Sequence, residues 1–219
     1  TIDGDITGAT ATTMSILLIQ GITTISGSIL EAGTGVVTLN IGASDEFTTT
    51  GSSKAFAAAI TSTDATGTLD INGTATFSDT VQAGIITVDG ATTFSSTLTN
   101  TGLMTISSTT IVTGVYTGTG AVNLDAAITF AANASFNNAT DTLLAHTLTF
   151  NGTTLTATST NGIKTDAAAA ALTLSGSAAQ TVAAQITPDA TNEFVLTNSN
   201  TSGTVTFNEK IGVVAGNLA

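Results

Sequence analysis

Residues 67–77 read Gly-Thr-Leu-Asp-Ile-Asn-Gly-Thr-Ala-Thr-Phe, and residues 84–94 read Gly-Ile-Ile-Thr-Val-Asp-Gly-Ala-Thr-Thr-Phe; shorter echoes follow at 102–106, Gly-Leu-Met-Thr-Ile, and at 120–124, Gly-Ala-Val-Asn-Leu. The leading glycines Gly67, Gly84, Gly102 and Gly120 lie 17, 18 and 18 residues apart. Three apolar columns keep step with them. The first is Leu69, Ile86, Met104 and Val122; the second is Ile71, Val88, Ile106 and Leu124; the third is Phe77, Phe94, Val112 and Phe130. A fixed period of this length marks a repeat architecture, in which each unit buries its apolar face only against its neighbours.

Within a repeat the first two columns are two residues apart, the spacing of one face of a strand, and the third follows after a corner. In two repeats that corner is Asn72-Gly73 and Asp89-Gly90, a pattern that on its own signals a two-residue hairpin. The next two repeats carry Ser107-Ser108 and Asp125-Ala126 there, residues poorly suited to a turn with two positive φ angles. The columns outlive the turn signal. The expected fold is therefore all-β: a parallel β-solenoid, a right-handed β-helix, with rungs of about 18 residues stacked about 4.8 Å apart. An antiparallel β-sandwich or hairpin array is the alternative. The twelve column residues are the predicted core.

Outward from this stretch the pattern loosens. Leu144 and Phe150 continue it after a two-residue insertion, while Leu172/Leu174, Phe194/Leu196 and Val205/Phe207 are strand-like pairs of open register. Residues 1–219 are expected to form a single solenoid domain, clearest over 67–150. The longest break, 42–66, is the expected loop insertion, because insertions in solenoids leave the stack at one side. Ile16-Leu17-Leu18-Ile19 is too short to cross a bilayer and reads as a buried strand.

Composition agrees with strands. Thr and Ser together make up nearly a third of the 219 residues, whereas Trp and Cys are absent and aromatic residues are 5%. Small and β-branched side chains suit a pleated surface. Only three residues are basic and the formal net charge is -12. Nucleic acid is thereby an unsuitable partner, since phosphate binding requires clustered cations, and an anionic membrane is disfavoured for the same reason. Positive mean hydropathy with few charges also argues against disorder.

The Gly-x-hydrophobic-Thr-hydrophobic-Asx-Gly repeats, in a chain rich in Thr, Gly, Ala and Asn and free of Cys, resemble the β-helical passenger regions of bacterial autotransporters and filamentous haemagglutinin-like proteins. The resemblance covers residues 67–150 well and the flanks loosely. It implies a bacterial protein, secreted or on the cell surface, that serves as a fibre, stalk or adhesin, and it carries over no catalytic residue.

Asp3/Asp5 and Asp45/Glu46 are weak candidates for Ca²⁺, a hard cation that takes several oxygen ligands. Asp70, Asp89 and Asp125 fall near one edge of successive repeats, where capping of corners is the simpler role. Neither a phosphate loop, a Gly-x-Ser-x-Gly elbow nor a calcium nonapeptide repeat is present. His146 reads as a strand-side residue, not a general base, and no cofactor is implied. The five Asn-x-Ser/Thr sequons, at Asn72, Asn133, Asn138, Asn151 and Asn200, match chance in so Thr-rich a chain. Tyr116 and the phenylalanines would form a carbohydrate-stacking platform only if exposed.

The expected function is a non-catalytic extracellular structural protein that assembles with itself end to end, as a filament, stalk or layer. The alternative is an adhesin or carbohydrate-binding module that meets a host or cell-surface glycan.

Overall fold

A computed structural model describes residues 2, 6–7, 15–19, 21–25, 27–30, 37–51, 53–62, 64–138, 140–157, 162–167, 170–188 and 194–212. Among the described residues, strands of two to six residues follow one another without a helix, and every paired strand runs parallel to its partners. They form three sheets of 9, 10 and 10 strands, each visited once per turn. One rung shows the plan: Thr68–Ile71 lies in the first sheet, Ala75–Phe77 in the second and Val81–Ala83 in the third. The chain then steps up to Ile85–Val88, directly above Thr68–Ile71. The fold is a parallel β-solenoid of about 21 residues per turn.

All three predicted columns are in register. Leu69 pairs with Ile86, Ile86 with Met104 and Met104 with Val122, while Ile71, Val88, Ile106 and Leu124 pair likewise two residues on. Phe77, Phe94, Val112 and Phe130 form the second-sheet column. All twelve residues are buried. Leu144 and Phe150 do extend the columns above Leu124 and Phe130, and Leu172 and Leu174 continue above Leu148 and Phe150.

Three expectations require correction. First, the rung is not about 18 residues throughout. That spacing holds from Gly67 to Phe136, but the average is about 21 residues per turn, because flanking rungs carry longer corners between strands whose register is unbroken. Second, residues 42–66 are not a loop insertion. They carry the strands Glu46–Thr49, Lys54–Phe56 and Ala59–Thr61, one in each sheet, and bury Phe47, Phe56 and Ile60. A 22-residue offset from Phe47 to Leu69 hid this rung from a search for 18-residue spacing. Third, the repeat holds three strands where the sequence columns marked two. The third sheet buries Ile60, Val81, Leu98, Tyr116, Ala134 and Leu155, a file too mixed in size to read as a column.

The interior is a stack of side chains, one layer per rung. Phe77 lies between Phe56 and Phe94, with ring centroids 4.9 and 5.2 Å away and planes inclined by 16° and 15°. Parallel register places like on like, so rings one rung apart meet face to face. Farther along, Tyr116, Phe130 and Phe136 pack in tilted and edge-on pairs. Burying each such ring stabilises the stack by about 2–3 kcal/mol relative to exposure.

The corners explain the glycines. Gly73 and Gly90 lack the positive φ of a hairpin turn, which among the described residues is confined to Gly21, Gly51, Gly176, Ser44 and Ser53. Their task is close approach. A Cβ on Gly73 would sit 1.7 Å from the Gly51 carbonyl oxygen, and one on Gly120 would sit 1.7 Å from that of Gly102. Neighbouring rungs thus touch backbone to backbone at these corners, which only a residue without a side chain permits.

Candidate functional site

Each three-residue strand of the central rungs points two side chains inward and one outward, so each sheet offers solvent a single file of residues. On the second sheet that file is Thr76, Thr93, Ile111, Thr129, Thr149, Thr173 and Thr197. On the third it runs Thr61, Gln82, Thr99, Thr117, Ser135 and Thr156. The first sheet shows Asp70, Thr87, Thr105, Asn123, Leu143 and Lys164, while Thr48, in line with them, is buried. These flanks are tiled by small hydroxyl and amide groups. Leu103, Ile111 and Val115 are the exposed large apolar side chains of the central rungs, and each stands on a different part of one turn.

Among the described residues the sequence-predicted acids do not converge. The Asp45 carboxylate accepts the Gly21 N–H at 2.7 Å and so caps a corner, while Glu46 Oε1 accepts the Thr48 hydroxyl at 2.7 Å. Asp3 and Asp5 lie outside the described residues. Asp64 accepts both the N–H and the hydroxyl of Thr66, at 2.8 and 2.5 Å, and these bonds hold its carboxyl below the ordinary value. Among the described residues no three His, Asp or Glu side chains approach closely enough to share a metal ion. His146 is exposed at the bend between Thr142–Leu144 and Thr147–Phe150.

Asp70 stands apart from the other acids. It projects from Thr68–Ile71 and accepts the Asn72 Nδ2–H at 2.6 Å. Burial pushes its carboxyl above the ordinary value, and the nearby charges of Glu46 and Asp89 act in the same direction against the Asn72 hydrogen bond.

The polar groups that sequence reading missed are internal. Tyr116, considered above as a stacking surface, is fully buried; its hydroxyl donates to Asn100 Oδ1 at 2.7 Å, and Asn100 Nδ2 donates to the Gly102 carbonyl at 2.7 Å. Burial drives the Tyr116 phenol strongly upward, so it stays a neutral donor. Gly118 makes this pair possible, since a Cβ there would lie 2.0 Å from the Tyr116 hydroxyl. Gln180 is likewise buried, its Nε2 within 3.1 Å of the carbonyls of Phe150, Gly152 and Ser175. Asn100 and Gln180 occupy inward positions of the third sheet, where no apolar column existed to betray them.

Comparison with protein-family models, characterised proteins and solved structures finds no match.

Proposed function

We propose that this chain is a non-catalytic structural protein of the bacterial exterior, a solenoid that stacks on copies of itself into a filament, stalk or layer. The placement of its aromatic rings carries this reading. Phe47, Phe56, Phe77, Phe94, Tyr116, Phe130, Phe136 and Phe150 are all buried, and Phe194 and Phe207 are partly buried against the core, so among the described residues no ring stands fully exposed as a carbohydrate platform would require. Small hydroxyl side chains spread evenly over three sheets are what a spacer needs and what a specific binder lacks. The likeness to autotransporter passenger and filamentous haemagglutinin-like repeats points to the same role at a cell surface.

Self-stacking draws on the edges. Among the described residues the strand Val195–Asn200 is paired on one side, to Ala171–Gly176, and Val195 is 51% exposed. Because every strand is parallel, one end of the stack offers edges of the polarity that the opposite end of a second copy would extend. A head-to-tail contact of this kind propagates without closing.

Electron microscopy and concentration-dependent light scattering test the proposal together. Filaments or ordered layers, with scattering mass that rises with concentration, are expected. A chain that stays monomeric at high concentration and binds a defined glycan would replace this reading with that of an adhesin.

A further inference from the structure

We propose that the buried Tyr116–Asn100 pair is a latch that fixes the order of the central rungs, admitting one stacking where the rest of the repeat accepts several. The repeat is degenerate. Were the rung from Gly102 to Gly118 skipped, Val122 would rest on Ile86, Leu124 on Val88 and Phe130 on Phe94, so every column stays apolar. At the corner Gly120 would rest on Gly84, glycine on glycine as in the correct order. The outward file is equally permissive, since Thr99, Thr117 and Ser135 are all small hydroxyl residues. Neither the corners nor the columns tell one central rung from the next.

Tyr116 and Asn100 do. In the third sheet Leu98 pairs with Tyr116 and Asn100 with Gly118. The Tyr116 hydroxyl donates to Asn100 Oδ1 in the rung below at 2.7 Å, and its ring packs against Phe136 in the rung above, with centroids 5.0 Å apart. Tyr116 and Asn100 are both fully buried. Gly118 leaves room for the bond, because a Cβ there would lie 2.0 Å from the Tyr116 hydroxyl and 2.6 Å from Asn100 Oδ1.

A wrong order strands one of the two groups. With the rung of Tyr116 skipped, Leu98 would face Ala134 and Asn100 would face Phe136, neither of which has a side-chain donor. With the rung of Asn100 skipped, Tyr116 would lie on Val81 and Gly118 on Ala83, leaving the hydroxyl in an apolar layer. Thr92 and Thr110 carry no such information. Their hydroxyls donate to the Gly90 and Ser108 carbonyls of their own rung, bonds that survive any stacking order. A buried polar group left without its partner disfavours the wrong order by about 10-fold or more, and fixing register is the best-attested use of such a group.

The test uses the full chain, which has no Cys of its own. Thr99→Cys/Thr117→Cys joins paired positions of adjacent strands and reports the correct order. Thr99→Cys/Ser135→Cys joins positions two rungs and about 10 Å apart, farther than a disulfide spans, and closes only where a rung has been skipped. Each pair is refolded from urea at high dilution and oxidised, with and without Tyr116→Phe, and crosslinks are quantified by peptide mass spectrometry. Without Tyr116→Phe the first pair is expected to close and the second to stay open. Tyr116→Phe leaves Asn100 Oδ1 unpartnered in either order, so discrimination is lost and the Thr99→Cys/Ser135→Cys crosslink should rise about 10-fold. Phe77→Ala weakens the stack at another rung with the latch intact, and should leave that crosslink unchanged. No rise with Tyr116→Phe, or an equal rise with Phe77→Ala, overturns the proposal.

Discussion

Phe77→Ala tests whether like-on-like stacking of the interior holds the solenoid together. Phe77 is fully buried between Phe56 and Phe94, so truncation removes the middle ring of three and leaves a ring-sized void that two flat neighbours cannot close by a small shift. Phe→Ala in a core costs about 3–5 kcal/mol, and two lost stacked pairs place this site toward the upper end. For a domain of this size that predicts a fall in Tm of roughly 6–20 °C. The control is Ile111→Thr, which puts the residue type of Thr93 and Thr129 into the outward file and should change stability by no more than about 0.5 kcal/mol. Thermal and urea unfolding followed by far-ultraviolet circular dichroism measure both. If Phe77→Ala costs under about 1 kcal/mol, or Ile111→Thr costs as much, the inside-outside register is refuted.

Tyr116→Phe should destabilise the chain by about 1–3 kcal/mol, because Asn100 Oδ1 is left buried without its donor; denaturant titration at neutral pH measures the loss. Gly118→Ala should cost about 1–3 kcal/mol by overpacking the same spot, and a double-mutant cycle should show the cost partly reduced in the Tyr116→Phe background, where the nearest of the clashing atoms is gone while Asn100 Oδ1 remains. Gly120→Ala should destabilise with no such rescue, since its added Cβ meets only the backbone of Gly102; melting temperatures of the two alanine variants compare them. Asp70 is raised in the fold, so its ionised form is disfavoured there and stability falls as pH rises from the unfolded value of 3.8 through the folded one. Asp70→Asn should therefore be more stable than the parent at neutral pH, with the advantage vanishing in acid, as urea midpoints across pH will show.

Legibility in the sequence followed how monotonous each position is. The first- and second-sheet columns repeat Leu, Ile, Met, Val or Phe at 17- or 18-residue spacing from Leu69 to Phe130, and those residues declared both the fold and its inward face. The third sheet was invisible because its inward positions include Asn100, Gly118 and Ala134 beside Tyr116 and Phe136, so no single residue type or size repeats along it. The rung from 42 to 66 was hidden by corner length, since a period search fails when strands keep register and the links between them do not. Asn72-Gly73 offered a hairpin by composition; backbone contact with Gly51, which no local pattern encodes, gave that glycine another reason to exist. Of the acids, side-chain type alone could not separate the corner caps Asp45 and Asp64 from Asp70, because the difference lies in what the adjacent rung places beside each.

The glycine corners also act as a ruler. Where backbone rests on backbone at Gly73 and Gly120, the rise from one turn to the next is set by atoms that no side-chain substitution alters. Corner length is then free to drift, as rungs spaced from 17 residues at Leu69–Ile86 to 27 at Ile29–Phe56 already do, while the strands keep their register. Each new turn finds its mate about one turn back along the chain, so loop closure costs nearly the same at every step and structure can grow rung upon rung from any completed pair.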